Sequence, residues 1–169
     1  MKKIWILLTA ITFALGLTAC SADDKAEPEK TEKAETEKAE QPAVNPKSAM
    51  YKFYMSIVNT INEADADLNA YEGAEEPTPE DKTAASESAA AVASKVEGLE
   101  VPAELKDQKA DLDAALKDLA ESYNMKAEEL KKDAPAFEAA DEKFTQAEEK
   151  IGAAFESVDM KKPSLAKEL

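Results

Sequence analysis

The chain has 169 residues, with 36 acidic side chains against 21 lysines, no arginine, no histidine and a single cysteine, for a net charge of −15. Without histidine there is no Ser-His-Asp triad, no Cys-His pair and no imidazole ligand for zinc or iron. Without arginine there is no bidentate clamp for phosphate or carboxylate, and one cysteine allows no disulfide within the chain. Such an acidic chain repels nucleic acid and anionic headgroups and attracts cations through a screened field.

In chain order, Lys2 and Lys3 precede an apolar run over residues 4–15, and Gly16, Thr18 and Ala19 form a small-residue exit. That is the layout of a secretory leader over residues 1–19, too short for a spanning helix. The lone tryptophan, Trp5, falls inside it. The run closes on Leu17-Thr18-Ala19-Cys20. This tetrapeptide resembles the lipobox of bacterial lipoproteins. The resemblance implies diacylglyceryl transfer to the Cys20 thiol, cleavage before Cys20 and acylation of the new amino terminus. Each buried methylene contributes about 0.8 kcal/mol, and two acyl chains hold a protein stably where one does not. The mature protein is thus expected on the outer face of the cell membrane, and its long charged tether favours a Gram-positive host.

Residues 20–47 form the expected linker. It carries Pro28, Pro42 and Pro46, little apolar beyond alanine, and two tandem copies of TEKAE at 31–35 and 36–40. A segment of this composition cannot bury enough surface to offset chain entropy, and it spans roughly 30 Å as a flexible tether.

Residues 48–169 are rich in Ala, Glu, Lys and Leu and hold 28 acids against 14 lysines. Four segments show helical periodicity. In 47–72 the stripe is Met50, Tyr54, Ile57, Ile61, Ala64, Leu68 and Tyr71, opened by Pro46 and closed by Gly73. The segment 78–97 opens on Thr78-Pro79-Glu80-Asp81, a cap followed by proline and two acids, with stripe Ala85, Ala89, Val92 and Val96. The third, 102–132, carries Leu105, Leu112, Leu116, Leu119, Tyr123 and Leu130. The fourth has Asp133 as cap and Pro135 in its first turn, then Phe137, Ala140, Phe144, Ala147, Ile151, Ala154 and Val158, with Pro163 as its stop and a loose tail beyond. Short connections between such segments predict an all-α, antiparallel up-down-up-down four-helix bundle. A three-helix bundle results if the alanine-rich second segment packs weakly. A long helical hairpin results if Pro135 only kinks one helix.

The body offers no catalytic constellation. Glu128–Glu129, Asp111–Asp113 and Glu148–Glu149 lie too close in sequence to converge on a helix and read as solvated faces. No metal site, cofactor or catalytic residue is expected; the acidic turn at 72–76 is too short for a calcium loop. A ligand pocket between helices is the one other lead, with Tyr51, Tyr54, Asn62, Tyr71, Tyr123 and Asn124 as candidate lining residues. The helical part, through YKFYMSIVNTINEADADLNAYE and SYNMKAEELKKD, resembles helical bacterial lipoproteins of the YiiG-like type, a likeness that implies no catalytic residues. The expected role is a non-enzymatic interaction module meeting an envelope protein or a cell-wall polymer, or else a small-ligand or cation-binding lipoprotein serving a transporter. Oligomeric state has no signal in the sequence.

Overall fold

Asn45 and Pro46 start the first helix of the computed structural model, which describes residues 45–169. The expected leader, Cys20 and the linker as far as residue 44 lie outside the described residues. Those described are all-helical, with five α-helices and two short 3-10 turns and no strand among them. The helices are α1 (Pro46–Asn62), α2 (Ala66–Gly73), α3 (Pro79–Glu97), α4 (Lys109–Glu129) and α5 (Glu138–Ser157). The 3-10 turns are Ala103–Leu105 and Leu165–Lys167.

Local chemistry sets the helix starts. Asn45 Oδ1 accepts from the Lys47 amide at 3.0 Å, and Pro46 needs no partner for a missing N–H. At α3, Thr78 and Asp81 close a reciprocal capping box: Asp81 N–H donates to Thr78 Oγ1 at 3.2 Å, and Thr78 N–H donates to Asp81 Oδ2 at 2.9 Å. Hydrogen bonds from Thr78 hold the Asp81 carboxyl below its ordinary range.

The segment 47–72, expected as one helix, is two. Ser88 of α3 causes the break. Its hydroxyl donates to Ala64 O at 2.6 Å and accepts from Leu68 N–H at 3.3 Å. In a continuous helix those two backbone groups would bond to each other; here a side chain from a neighbour stands between them. The bend leaves Ala64 half-buried and turns Asp65 inward, 3% exposed. Replacing Ser88 with alanine removes both bonds. The expected loss is about 1–3 kcal/mol, read as a lower Tm in a thermal melt. Unchanged stability would mean that residues 46–73 can run on as one straight helix.

Other bounds also move. The expected start of the third helix at Pro102 is instead the 3-10 turn, with Leu105 N–H on Pro102 O at 2.9 Å and Gln108 N–H on Leu105 O at 3.0 Å, before α4 begins. Asp133 and Pro135 do not open α5, which begins after Phe137; they lie in the connection that keeps α4 and α5 separate. α5 ends at Ser157, well before Pro163. Asp159 there adopts a left-handed φ of 53°, with Met160 N–H on Phe155 O and Asp159 N–H on Glu156 O, both at 3.0 Å. This is the Schellman pattern of bonds, with aspartate where glycine is usual.

The tail is not loose. Leu165 is fully buried, Asn62 Nδ2 donates to Glu168 O at 3.1 Å, and the Lys162 stem lies against Gly152, where an added Cβ would meet its Cδ at 3.1 Å.

Packing follows the stripes. Met50, Ile57, Ile61, Leu68, Val92, Val96, Leu112, Leu119 and Ile151 are fully buried in one cluster. α3 and α4 run antiparallel, joined by Ser86 Oγ donating to Ala127 O at 2.8 Å and by Lys82 reaching Lys132 O. The small face of α3 lets these backbones approach. α4 and α5 are also antiparallel: Gln108 bonds Ser157 at 3.1 Å near one end, and Ser122 Oγ donates to Ala140 O at 2.8 Å nearer the other. No helix among the described residues is long and apolar enough to cross a membrane.

Candidate functional site

Helical spacing puts Asp113, Leu116, Lys117, Ala120, Glu121, Asn124, Met125 and Glu128 on one face of α4. Glu97 and Leu99 from the end of α3 flank that face, and Glu129 completes the far end, enclosing an open groove of about 640 Å³. Leu116 and Ala120 are buried in its floor, and Leu99 and Met125 are half-buried. Carboxylates dominate the rim.

Most of these carboxylates have lysine partners. Lys109 meets Asp113 at 2.7 Å, Lys143 meets Glu121 at 3.0 Å, Lys131 pairs with Glu128, and Lys132 pairs with Glu129. Pairs at the solvent face contribute little to stability, so the rim is polar without being rigid. The Lys132 bond, with help from Ala136 N–H, holds Glu129 below the ordinary carboxylate range. Glu121, with Asp118 behind it, raises Lys143. Glu97 has no ion pair among the described residues.

Two polar seams lie beside this face. Asp118 of α4 is buried and is met by Lys150 and, at 3.7 Å, by Lys143 of α5. Lys126 contacts Glu72 at 2.8 Å and Asp141 at 3.5 Å, with its ammonium 5.4 Å from the centre of the Phe137 ring. That one lysine ties α2, α4 and the start of α5 together.

Asp65 and Tyr123 are buried close by. Burial holds the Asp65 carboxyl above its ordinary range, against hydrogen bonds from Asn69 and its own backbone and with a push from Glu72. Burial also lifts the Tyr123 phenol well above the usual range, helped by the charges of Asp65 and Glu72. A carboxyl raised on folding binds its proton more tightly in the native state. Its contribution therefore falls as pH climbs from the ordinary carboxylate value through the folded one, leaving a penalty at neutral pH. The expected result for Asp65→Asn is a higher Tm at pH 7 and a flatter rise of Tm on acidification toward pH 4. A lower Tm at pH 7 would show that the charged carboxylate is needed at the elbow.

The six residues expected to line a ligand pocket are dispersed. Tyr51 is 55% exposed, Tyr54 is buried with its ring edge-on to Phe155 at 5.4 Å, and Tyr71 is half-buried. Asn62 bonds the tail, Tyr123 sits in the core beside Asp65, and Asn124 is exposed in the α4 groove. Of the six, only Asn124 lines the groove. Leu99 and Met125, which do line it, are missed by a reading based on apolar stripes; each stands off its stripe as a single large apolar residue. Among the described residues no three His, Cys, Asp or Glu side chains converge to hold a metal ion.

No family model, curated protein or solved structure matches this chain.

Proposed function

We propose that this protein is a lipid-anchored lipoprotein on the extracytoplasmic face of the cell membrane, whose helical body is a non-enzymatic interaction module for another envelope protein or a cell-wall polymer. The observation that carries this reading is Leu17-Thr18-Ala19-Cys20 at the end of a short apolar leader, followed by a charged, proline-bearing tether. The lack of histidine and arginine supports a binding role over catalysis. In this reading the body is an up-down-up-down four-helix bundle, with α1 and α2 as one bent member, and the α4 groove is its contact face.

Cys20→Ala tests the anchor: the variant leaves the membrane fraction for the soluble one, and unchanged fractionation refutes lipidation. Crosslinking the anchored protein in its own cells tests the role. A discrete partner recovered from wild type and not from Cys20→Ala supports it; only diffuse products count against it.

A second reading, a small-ligand lipoprotein serving a transporter, is favoured by the groove's volume, about 640 Å³, which falls in the range of roughly 300–1,000 Å³ typical of small-molecule sites. A binder of that kind raises its Tm as ligand is added, which a docking face for macromolecules does not do for small solutes.

A further inference from the structure

The α4 groove combines an apolar floor with an acidic rim. Leu116 and Ala120 are buried in the floor, and Leu99 and Met125 are half-buried beside them. Its lining holds five carboxylates against one ammonium, that of Lys117. The lysines that pair with Asp113, Glu121, Glu128 and Glu129 stand outside this lining. Ion pairs at the surface are weakly held and can be exchanged for others. Glu97 has no such pair among the described residues. The groove is also long: from Asp113 to Glu128 it follows α4 for about four turns, or about 22 Å.

Length and charge together select the occupant. A trough of this length matches a helix laid along it, whose apolar residues at every third or fourth position meet the floor. The body around the groove carries 28 acids against 14 lysines, a field that steers positive charge to its surface. A second copy of this chain brings the same sign and is repelled. The chain's own tether is repelled too, since residues 21–44 hold eight acids and four lysines. An anionic polymer fares no better. We propose that the α4 groove docks a cationic amphipathic helix of a partner protein. Its apolar face rests on Leu99, Leu116 and Met125, and its lysines or arginines meet Glu97, Glu121 and Glu128. This assignment rests on the reading of the groove as the contact face and adds the chemistry of what it contacts.

The probe is a fluorescein-labelled peptide of about 15 residues, four helical turns, with leucines at helical spacing and lysines elsewhere. The full chain, kept free of lipid, is titrated into it at about 0.1 M salt, where distant surface charges are screened. Fluorescence anisotropy reads binding. The expected result is one saturable phase, lost for a scrambled peptide of the same composition and for a peptide with glutamate in place of lysine. Leu99→Gln with Met125→Gln weakens it at least tenfold, as does Glu97→Lys with Glu121→Lys. Glu142→Lys with Glu149→Lys, the same change of charge on exposed residues of α5, weakens it less than threefold. Equal losses from the two charge reversals, or equal binding of the scrambled peptide, overturn the proposal in favour of a diffuse acidic surface. Equal binding of the glutamate peptide overturns the cationic partner, and absence of any saturable phase overturns the proposal outright. Should the double glutamine variant lose its helical signal, Asn124→Arg, exposed in the groove, replaces it with the same expected loss, and no loss overturns the site. A photocrosslinker at position 124 of the anchored protein in its cells reads the contact face separately. A discrete partner captured there while the peptide fails to bind keeps the contact face and overturns the cationic helix alone; no capture there overturns the contact face itself.

Discussion

Ile61→Asp abolishes cooperative thermal unfolding at neutral pH. Ile61 is fully buried near the end of α1, one residue before the chain turns into the elbow held by Ser88. An aspartate there loses the transfer free energy of the isoleucine and puts a carboxylate into the apolar core. Large-to-small replacement in a core costs about 2–5 kcal/mol, and an unpaired buried charge adds several more. A domain of this size holds only about 5–15 kcal/mol in total, so the sum consumes most or all of it. Circular dichroism at 222 nm reads the outcome. Acidification that protonates the new carboxyl should recover part of the signal, and Ile61→Asn should show no such recovery. A wild-type Tm for Ile61→Asp would remove the α1 stripe from the core.

Leu165→Ala is the second large effect. The 3-10 turn Leu165–Lys167 contributes one large side chain to the interior, and that side chain is fully buried. Around it the tail is fastened by backbone and stem contacts: Asn62 to the Glu168 carbonyl, and the Lys162 stem over Gly152. Removing three carbons at such a position costs about 2–5 kcal/mol, depending on how far the cavity collapses. The exposed neighbour Lys167→Ala should shift stability by less than about 0.5 kcal/mol, as surface changes away from special features do. Equal melts for the two variants would mean that the turn detaches before the core opens.

Helix content and the apolar stripes were legible because they depend on spacing alone. Met50, Ile57, Ile61, Val92, Leu112, Leu119 and Ile151 belong to stripes that repeat every three or four positions, and all are fully buried. The capping box at Thr78 was legible for a similar reason, since its partners lie three residues apart. What escaped the sequence depends on contacts across the fold. The elbow at 63–65 is held by a serine 24 residues from Ala64 that donates to its carbonyl, a contact that lies outside 47–72. Leu165 is a single leucine among polar residues, with no period to mark it. α5 begins late because Pro135 and the residues beside it serve the connection to α4.

The candidate site was harder still. Tyrosine and asparagine mark a pocket only when their helices turn them toward one another. Tyr54 and Tyr123 are instead taken up by the core, and Tyr51 faces solvent. The groove arises where the end of α3 runs beside the face of α4, a pairing that neither segment announces. Glu148 reads as half of a solvated pair with Glu149 until the packing buries one of its oxygens.

The serine bridge at the elbow also bears on how the molecule opens. Because the Leu68 amide is protected by a side chain of α3, its proton cannot exchange with solvent until that neighbour moves away. Deuterium uptake at Leu68 should therefore keep pace with the middle of α3 and lag the rest of the short α2. The elbow and α3 would then form one cooperative foldon, crossing the formal boundary between α1 and α2.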